Sequence, residues 1–283
     1  MSIVITGTTG HLGALIVEAL LDRGAAPNEV VATGRDSTRL QRFADLGLPT
    51  ALIDYDDKTT VSGAVSAGDV LVLVSGSEMG HRVQQHTGII AAAMQAGVGR
   101  VVYTSAPKAT TTALVLAPEH KATEEYLARS GVPATILRNG WYSENYVQHI
   151  QTARAQGEFF GSAGDGRVAS ASRQDFAEAA AVVALDDSFT GRILELSGDT
   201  SWTYADLAKA IARQAGRPVV YDDLTPDEHL ARLQAAGLPK NQAEFVVALD
   251  GNTRDGLLGL ITGELAATIS RPTTTLEATL ATI

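Results

Sequence analysis

Through the first 140 residues, short runs rich in β-branched residues alternate with longer amphipathic stretches, and this alternation limits the fold more than any other feature. "SIVIT" precedes "HLGALIVEALLDRG", "EVVAT" precedes "STRLQRFADLG", and "TALID" precedes "DKTTVSGAVSAG". "DVLVLVS" then leads to "RVQQHTGIIAAAMQAG", "RVVYTS" to "EHKATEEYLARSG", and "ATILRN" closes the series. Runs of about five to seven β-formers between helical segments signal βαβ units and a parallel sheet. Gly24, Gly47, Gly97 and Gly131 end the helical stretches, where a left-handed C-cap favours glycine. The expectation is a doubly wound α/β domain over residues 1–140.

After Gly140 the rhythm loosens, and residues 141–283 read as a mixed segment that returns partly to the sheet and forms a smaller α/β lobe. "YSENYVQHIQTARAQG" predicts a helix, "FFGSAGDGRVASAS" an irregular strand-turn-strand, and "RILELSG" a further strand. Asp175 is placed to cap "FAEAAAVVALDD". Thr203 with Asp206 approximates a capping box, Thr225 precedes Pro226 and acidic residues, and Thr274 with Glu277 opens a terminal helix. No linker or repeat separates the two parts, so they are expected to pack as one unit.

Composition narrows the function. A net charge of −10 disfavours a nucleic-acid partner, which requires clustered Lys and Arg. There is no cysteine, which excludes disulfides, thiolate ligands and a Cys nucleophile. No apolar run approaches the ~18–20 residues of a membrane helix. No secretory signal precedes the first strand, so the expected location is the cytoplasm, without membrane insertion. The amphipathic helices are compatible with a homodimer, because an interface helix carries the same pattern as any other.

The chemistry starts at "ITGTTGHLG", where Gly7, Gly10 and Gly13 lie between the first strand and the first helix. Gly7 permits the tight turn, Gly10 lets the backbone approach a pyrophosphate, and Gly13 lets helix and strand pack closely. Phosphates would sit at the helix N-terminus, where free N–H groups and the dipole favour anions. No Gly-Lys-Ser/Thr follows, so this is not a Walker loop. The second strand ends "ATGRDS". Arg35 suits the 2′-phosphate of NADPH through charge-assisted hydrogen bonds, whereas Asp36 could hold the ribose of NADH. NADPH is the expected cofactor. Asp54 and Tyr55, after the third strand, could border an adenine or serve as a cap and a packed ring.

Short-chain dehydrogenases usually work with a Tyr-x-x-x-Lys pair on one helix face, the Lys lowering the Tyr pKa. None of the seven tyrosines has a lysine four residues on, and Ala117 occupies the position four before Lys121. Against that background, "TGTTGHLG", "GRDS", "SGSEMGHR", "YTS", "RNGWYSENY", "GDG" and "RPTTTLE" occur in the order and spacing of one group. The chain resembles the bacterial type 2 NAD(P)H:quinone oxidoreductases, in the NmrA-like branch of atypical short-chain dehydrogenases/reductases. The resemblance runs from residue 2 to the last helix, and "NGWYSEN" is its most specific part. It implies a Rossmann-type domain with a small C-terminal lobe and NADPH in the cleft between them. It also implies a cofactor site formed by Gly7, Thr8, Thr9, Gly10, His11, Leu12, Arg35, Ser75, Gly76, Ser77, Asn139, Gly140, Trp141, Tyr142, Ser143 and Glu144. The implied substrate is a small planar quinone. No Tyr-Lys pair operates in that group.

"NGWYSENY" begins at the carboxyl end of the last repeating strand, the edge where doubly wound sheets bind ligands. Trp141 and Tyr142 then offer flat surfaces with polar tips, and Tyr142 is expected to contact substrate. His81, Arg82 and His86, after the fourth strand, could border the acceptor or lie at the surface. Two functions stay open: hydride transfer from NADPH to a quinone, with no flavin, no metal and no assignable catalytic side chain, or dinucleotide sensing without turnover.

Overall fold

All six β-branched runs form strands, and they pair in parallel because helical crossovers separate them. The computed structural model describes residues 1–283. Its first half comprises β1 (Ile3–Ile5), α1 (His11–Asp22), β2 (Val30–Gly34), α2 (Ser37–Ala44), β3 (Thr50–Leu52) and α3 (Thr59–Ser62). There follow β4 (Val70–Leu73), α4 (Arg82–Gln95), β5 (Arg100–Ser105), α5 (Ala117–Ser130) and β6 (Ala134–Asn139). The second half comprises α6 (Val147–Gln156), β7 (Glu158–Gly161), α7 (Arg173–Leu185), β8 (Ile193–Leu196), α8 (Tyr204–Ala215) and β9 (Val220–Asp223). It ends with α9 (Pro226–Ala235), α10 (Lys240–Arg254), α11 (Glu264–Ile269) and α12 (Leu276–Leu280).

Seven strands form the main sheet in the order β3-β2-β1-β4-β5-β6-β8, and β7 and β9 pair in parallel apart from it. Strand side chains alternate between two cores. Ile3 and Ile5 join α1, α2, α7 and α11 on one face, while Val4 joins α3, α4 and α5 on the other. The third core belongs to the small lobe and gathers α6, β7, α8 and α12 around Tyr146, Trp202 and Tyr204. Each fully buried Leu, Ile or Phe in these cores contributes about 1.5–3 kcal/mol of transfer free energy. Helix α7 reaches the sheet with a run of buried alanines, Ala177, Ala180, Ala181 and Ala184, whose small side chains let it lie close against α1. No helix is long and apolar enough to cross a membrane.

Several local expectations shift. The stretch after β3 forms only the four-residue α3, ended by Gly63 as C-cap; its Thr and Val residues are weak helix formers. Helix α7 starts earlier than expected, because Ser172 is the N-cap and Asp175 is the N3 member of the capping box. The cap of the terminal helix is Thr275, not Thr274. The boxes Thr203–Asp206 and Thr225–Glu228 form at the expected helix starts.

Asp175 shows why the shift matters. Its carboxylate is wholly buried and accepts from Ser172 N at 3.1 Å, Thr274 N at 2.9 Å and Thr274 Oγ1 at 3.0 Å. Arg271 Nη2 lies 2.8 Å away, so one carboxylate ties the start of α7 to the C-terminal segment. Asp175→Ala should therefore lower the unfolding free energy by about 3–5 kcal/mol, the cost of stranding buried partners. Arg271→Ala, at a half-exposed position, should cost less. Urea unfolding of the two variants checks the order.

Candidate functional site

The glycine loop takes the shape its spacing requires. Gly7 has a φ of 65°, and Gly10 N donates to Gly7 O at 2.9 Å, closing the turn ahead of α1. A Cβ on Gly13 would lie 2.4 Å from Gly7 O, so only glycine permits this helix–loop approach. Above the loop lies a cavity of ≈ 350 Å³ lined by Gly7, Thr9, Gly10, His11 and Leu12, with Arg35, Tyr55 and Ser75–Gly76–Ser77 on its other side. Thr8 is not in the wall; it is buried, and its N–H and hydroxyl both donate to Thr33 O.

Arg35 stands at the mouth, its side chain 59% exposed, and pairs with Glu78 across the opening at 2.8 Å. Asp36 is committed elsewhere, since its carboxylate accepts from Arg39 N as the N-cap of α2. Tyr55 lines the groove, and its hydroxyl is shared between Thr6 Oγ1 and Val74 O, both at 2.5 Å.

A second cavity, ≈ 370 Å³, continues over the carboxyl ends of β4, β5 and β6 and shares Leu12 and Ser75–Gly76–Ser77 with the first. Asn139, Gly140, Trp141 and Tyr142 line it. Asn139 donates from Nδ2 to the Tyr142 hydroxyl at 3.3 Å, while its Oδ1 is buried without a partner. Gly140 N donates to Leu196 O at 2.7 Å, and a Cβ there would meet the same oxygen at 2.7 Å. The Tyr142 ring lies between the Arg173 guanidinium, 5.2 Å from its centroid, and the edge of Phe176. Burial raises the Tyr142 pKa, so the phenol stays protonated.

Ser143 and Glu144 stand behind this wall. The Ser143 hydroxyl meets Ser170 Oγ at 2.8 Å, which also accepts from Trp202 Nε1 at 2.9 Å. Glu144 accepts from Arg173 N at 2.9 Å, at the start of α7. In the "NGWYSEN" segment Asn139–Tyr142 and Asn145 thus face the cleft, while Ser143 and Glu144 fasten the segment from behind.

A third cavity, ≈ 420 Å³, opens from the second past Ser77, Arg82 and Trp141. Its walls are Trp141, Tyr146, His149, Tyr204, Phe245, Val246 and Leu249, with the buried Asp250 carboxylate at one side. Most of this wall comes from α6, α8 and α10, where nothing in the sequence distinguishes a lining residue from an ordinary amphipathic position.

The Ser75–Ser77 loop is clamped at Gly76. Gly76 N donates to His86 Nε2 at 3.0 Å, and Arg82 Nε donates to Gly76 O at 2.7 Å. His86 thus supports the loop from beneath instead of bordering an acceptor, while Arg82 reaches both the second and the third cavity. His81 is exposed at the N-cap position of α4. Lys121 makes only a surface contact with Glu125.

His86 is fully buried, and burial first, the Arg82 charge second, push its pKa from 6.5 down to about 4. The unfolded chain takes up that proton near pH 6.5 and the folded protein only near 4. The stabilisation is therefore complete above about pH 6.5 and is lost as pH falls toward 4, up to about 3 kcal/mol. Buried His120, pushed to about 3, adds in the same direction. Urea unfolding between pH 7 and 4 should show this decline, and His86→Gln should remove about one proton of its slope. An unchanged slope would assign the pH dependence elsewhere.

Comparison with known proteins agrees with this architecture. The NmrA-like family model matches residues 1–250. The chain is 40% identical to quinone oxidoreductase 2 of Escherichia coli over 97% of its own length and 96% of that protein's. The crystal structure of the NADPH-dependent quinone oxidoreductase of E. coli complexed with NADPH superposes with a TM-score of 0.94, covering 99% of both chains. The triphenylmethane reductase of Citrobacter sp. complexed with NADP(H) is 28% identical and superposes with a TM-score of 0.93, again over 99% of each chain. From family match and near full-length relatives alike, this chain belongs to the NmrA-like family.

Proposed function

We propose that this protein is an NADPH-dependent quinone reductase. One observation carries the reading: the groove over the glycine loop shares wall residues with the cavity beside it, which in turn shares Ser77, Arg82 and Trp141 with an aromatic-walled one. The 40%-identical quinone oxidoreductase 2 supports the same chemistry. The residues present fit the dinucleotide. Gly7 and Gly10 leave the backbone bare around a pyrophosphate, beside the N-terminus of α1. Arg35 is the partner for the 2′-phosphate, released from Glu78 when the phosphate arrives. Ser75–Ser77 and Asn139–Tyr142 flank the nicotinamide half. Trp141, Tyr146, Tyr204 and Phe245 give a planar acceptor its walls.

Bound NADPH supplies hydride directly, without flavin. The protein's own contribution is to hold donor and acceptor face to face and exclude other geometries. No tuned Tyr-Lys pair is needed, because reduction of a quinone yields an aromatic hydroquinone anion that water can protonate afterwards. No single Ser, Thr, Tyr or His replacement should abolish turnover.

Steady-state NADPH oxidation with p-benzoquinone tests the activity, and a protein that binds NADPH but never turns it over would instead be a sensor. Arg35→Ala should weaken NADPH binding by about 1.5–3 kcal/mol while leaving NADH nearly unchanged. Equal losses for both cofactors would show that Arg35 does not meet the 2′-phosphate.

A further inference from the structure

We infer that Arg82 is the electrophilic partner of the acceptor: its guanidinium stabilises the oxyanion that forms as a quinone is reduced. This rests on the quinone-reductase reading and adds a residue and a role to it. Arg82 sits where the second cavity meets the third, the place a reacting ring must occupy between nicotinamide and aromatic walls. Its side chain is only 11% exposed. Nε is held by Gly76 O at 2.7 Å, and Nη1 reaches Glu119 Oε2 at the long distance of 3.5 Å. Nη2 has no protein partner and is not among the buried atoms, so it is open to a ligand.

The surroundings leave the positive charge effective. Glu119 spends its other oxygen on Gly80 N at 3.0 Å. Asp250, on the far wall, spreads its charge over Ser162 N and Tyr204 Oη, both at 2.7 Å, and lies 3.4 Å from His229. His86 and His120 are held neutral by burial and by the Arg82 charge itself.

The step balances. The C4–H bond of the reduced nicotinamide breaks with its electron pair, oxidising the cofactor, and a new O–H bond forms on one quinone oxygen. The two electrons leave negative charge on the other oxygen, opposite Arg82, until a proton from water neutralises it. A fixed donor aimed at charge that is absent from the substrate and develops in the transition state accelerates the reaction without tightening substrate binding.

Two measurements on cofactor-loaded protein test this. In the first, Arg82→Gln should lower kcat for p-benzoquinone roughly 100-fold, as loss of an oxyanion donor does. Its dissociation constant for NADPH should move far less than kcat does, and Arg82→Lys should recover about tenfold of the lost rate. If Lys and Gln lose activity equally, Arg82 serves only to hold Gly76, and the inference is overturned. The second uses p-nitrophenol, whose visible absorbance reports its ionisation, bound to the NADP⁺ complex. The native protein and Arg82→Lys should favour the phenolate, and Arg82→Gln should favour the neutral phenol. Identical ionisation in native protein and Arg82→Gln also overturns the inference. An Arg82-dependent phenolate in a protein that reduces no quinone would sustain the anion site while refuting the quinone reading.

Discussion

Arg138, the next-to-last residue of β6, carries a buried guanidinium on which the floor of the cleft depends. It binds Glu124 of α5 at 2.6 and 3.0 Å, Glu195 of β8 at 2.8 Å and Thr110 at 3.1 Å. Ser105, at the end of β5, closes the knot onto Glu124 at 2.5 Å. One side chain thus aligns the carboxyl ends of three strands with a helix, immediately before the chain enters Asn139-Gly140. Burying such charges costs several kcal/mol of solvation, which only near-complete pairing offsets. The return is placement: with β8 held, Leu196 O meets Gly140 N, and Asn139, Trp141 and Tyr142 take fixed positions over the cleft.

Much of the sheet was legible because its signal is local. Six strands bounded by glycine and amphipathic helices state their own period, and the glycine loop's function follows from bond geometry. The start of α7 was misplaced because Ser172 and Asp175 are both good capping residues. Only the helix itself shows that one is the N-cap and the other its N3 partner. The same ambiguity moved the last cap from Thr274 to Thr275, freeing Thr274 to bind Asp175.

The acceptor cavity was not legible, for a different reason. Trp141, Tyr204 and Phe245 converge from positions far apart in the chain, and Tyr204 and Phe245 alone look like core aromatics. The roles of His86 and Arg82 depended equally on tertiary context. They are separated by one helical turn of α4, yet one faces Gly76 N from a dry interior and the other opens on the cleft. Spacing placed both near the site. Burial, against α5 where Thr123 Oγ1 lies 3.1 Å from Nδ1, keeps His86 neutral, whereas the Arg82 guanidinium stays charged.

The crossover from β6 to β8 has a kinetic meaning. It is not a simple helix: α6 and β7 lie within it, on the small lobe, before α7 returns beneath the sheet against α1. The last strand of the main sheet therefore docks only after a long excursion, and its contacts with β6 close a large loop. Such high contact order slows folding, because the entropy of loop closure is lost before the contacts form. Until β8 arrives, Gly140 N lacks the Leu196 carbonyl and Arg138 lacks Glu195. A nascent chain that ends before β8 would therefore carry the glycine loop without a finished site.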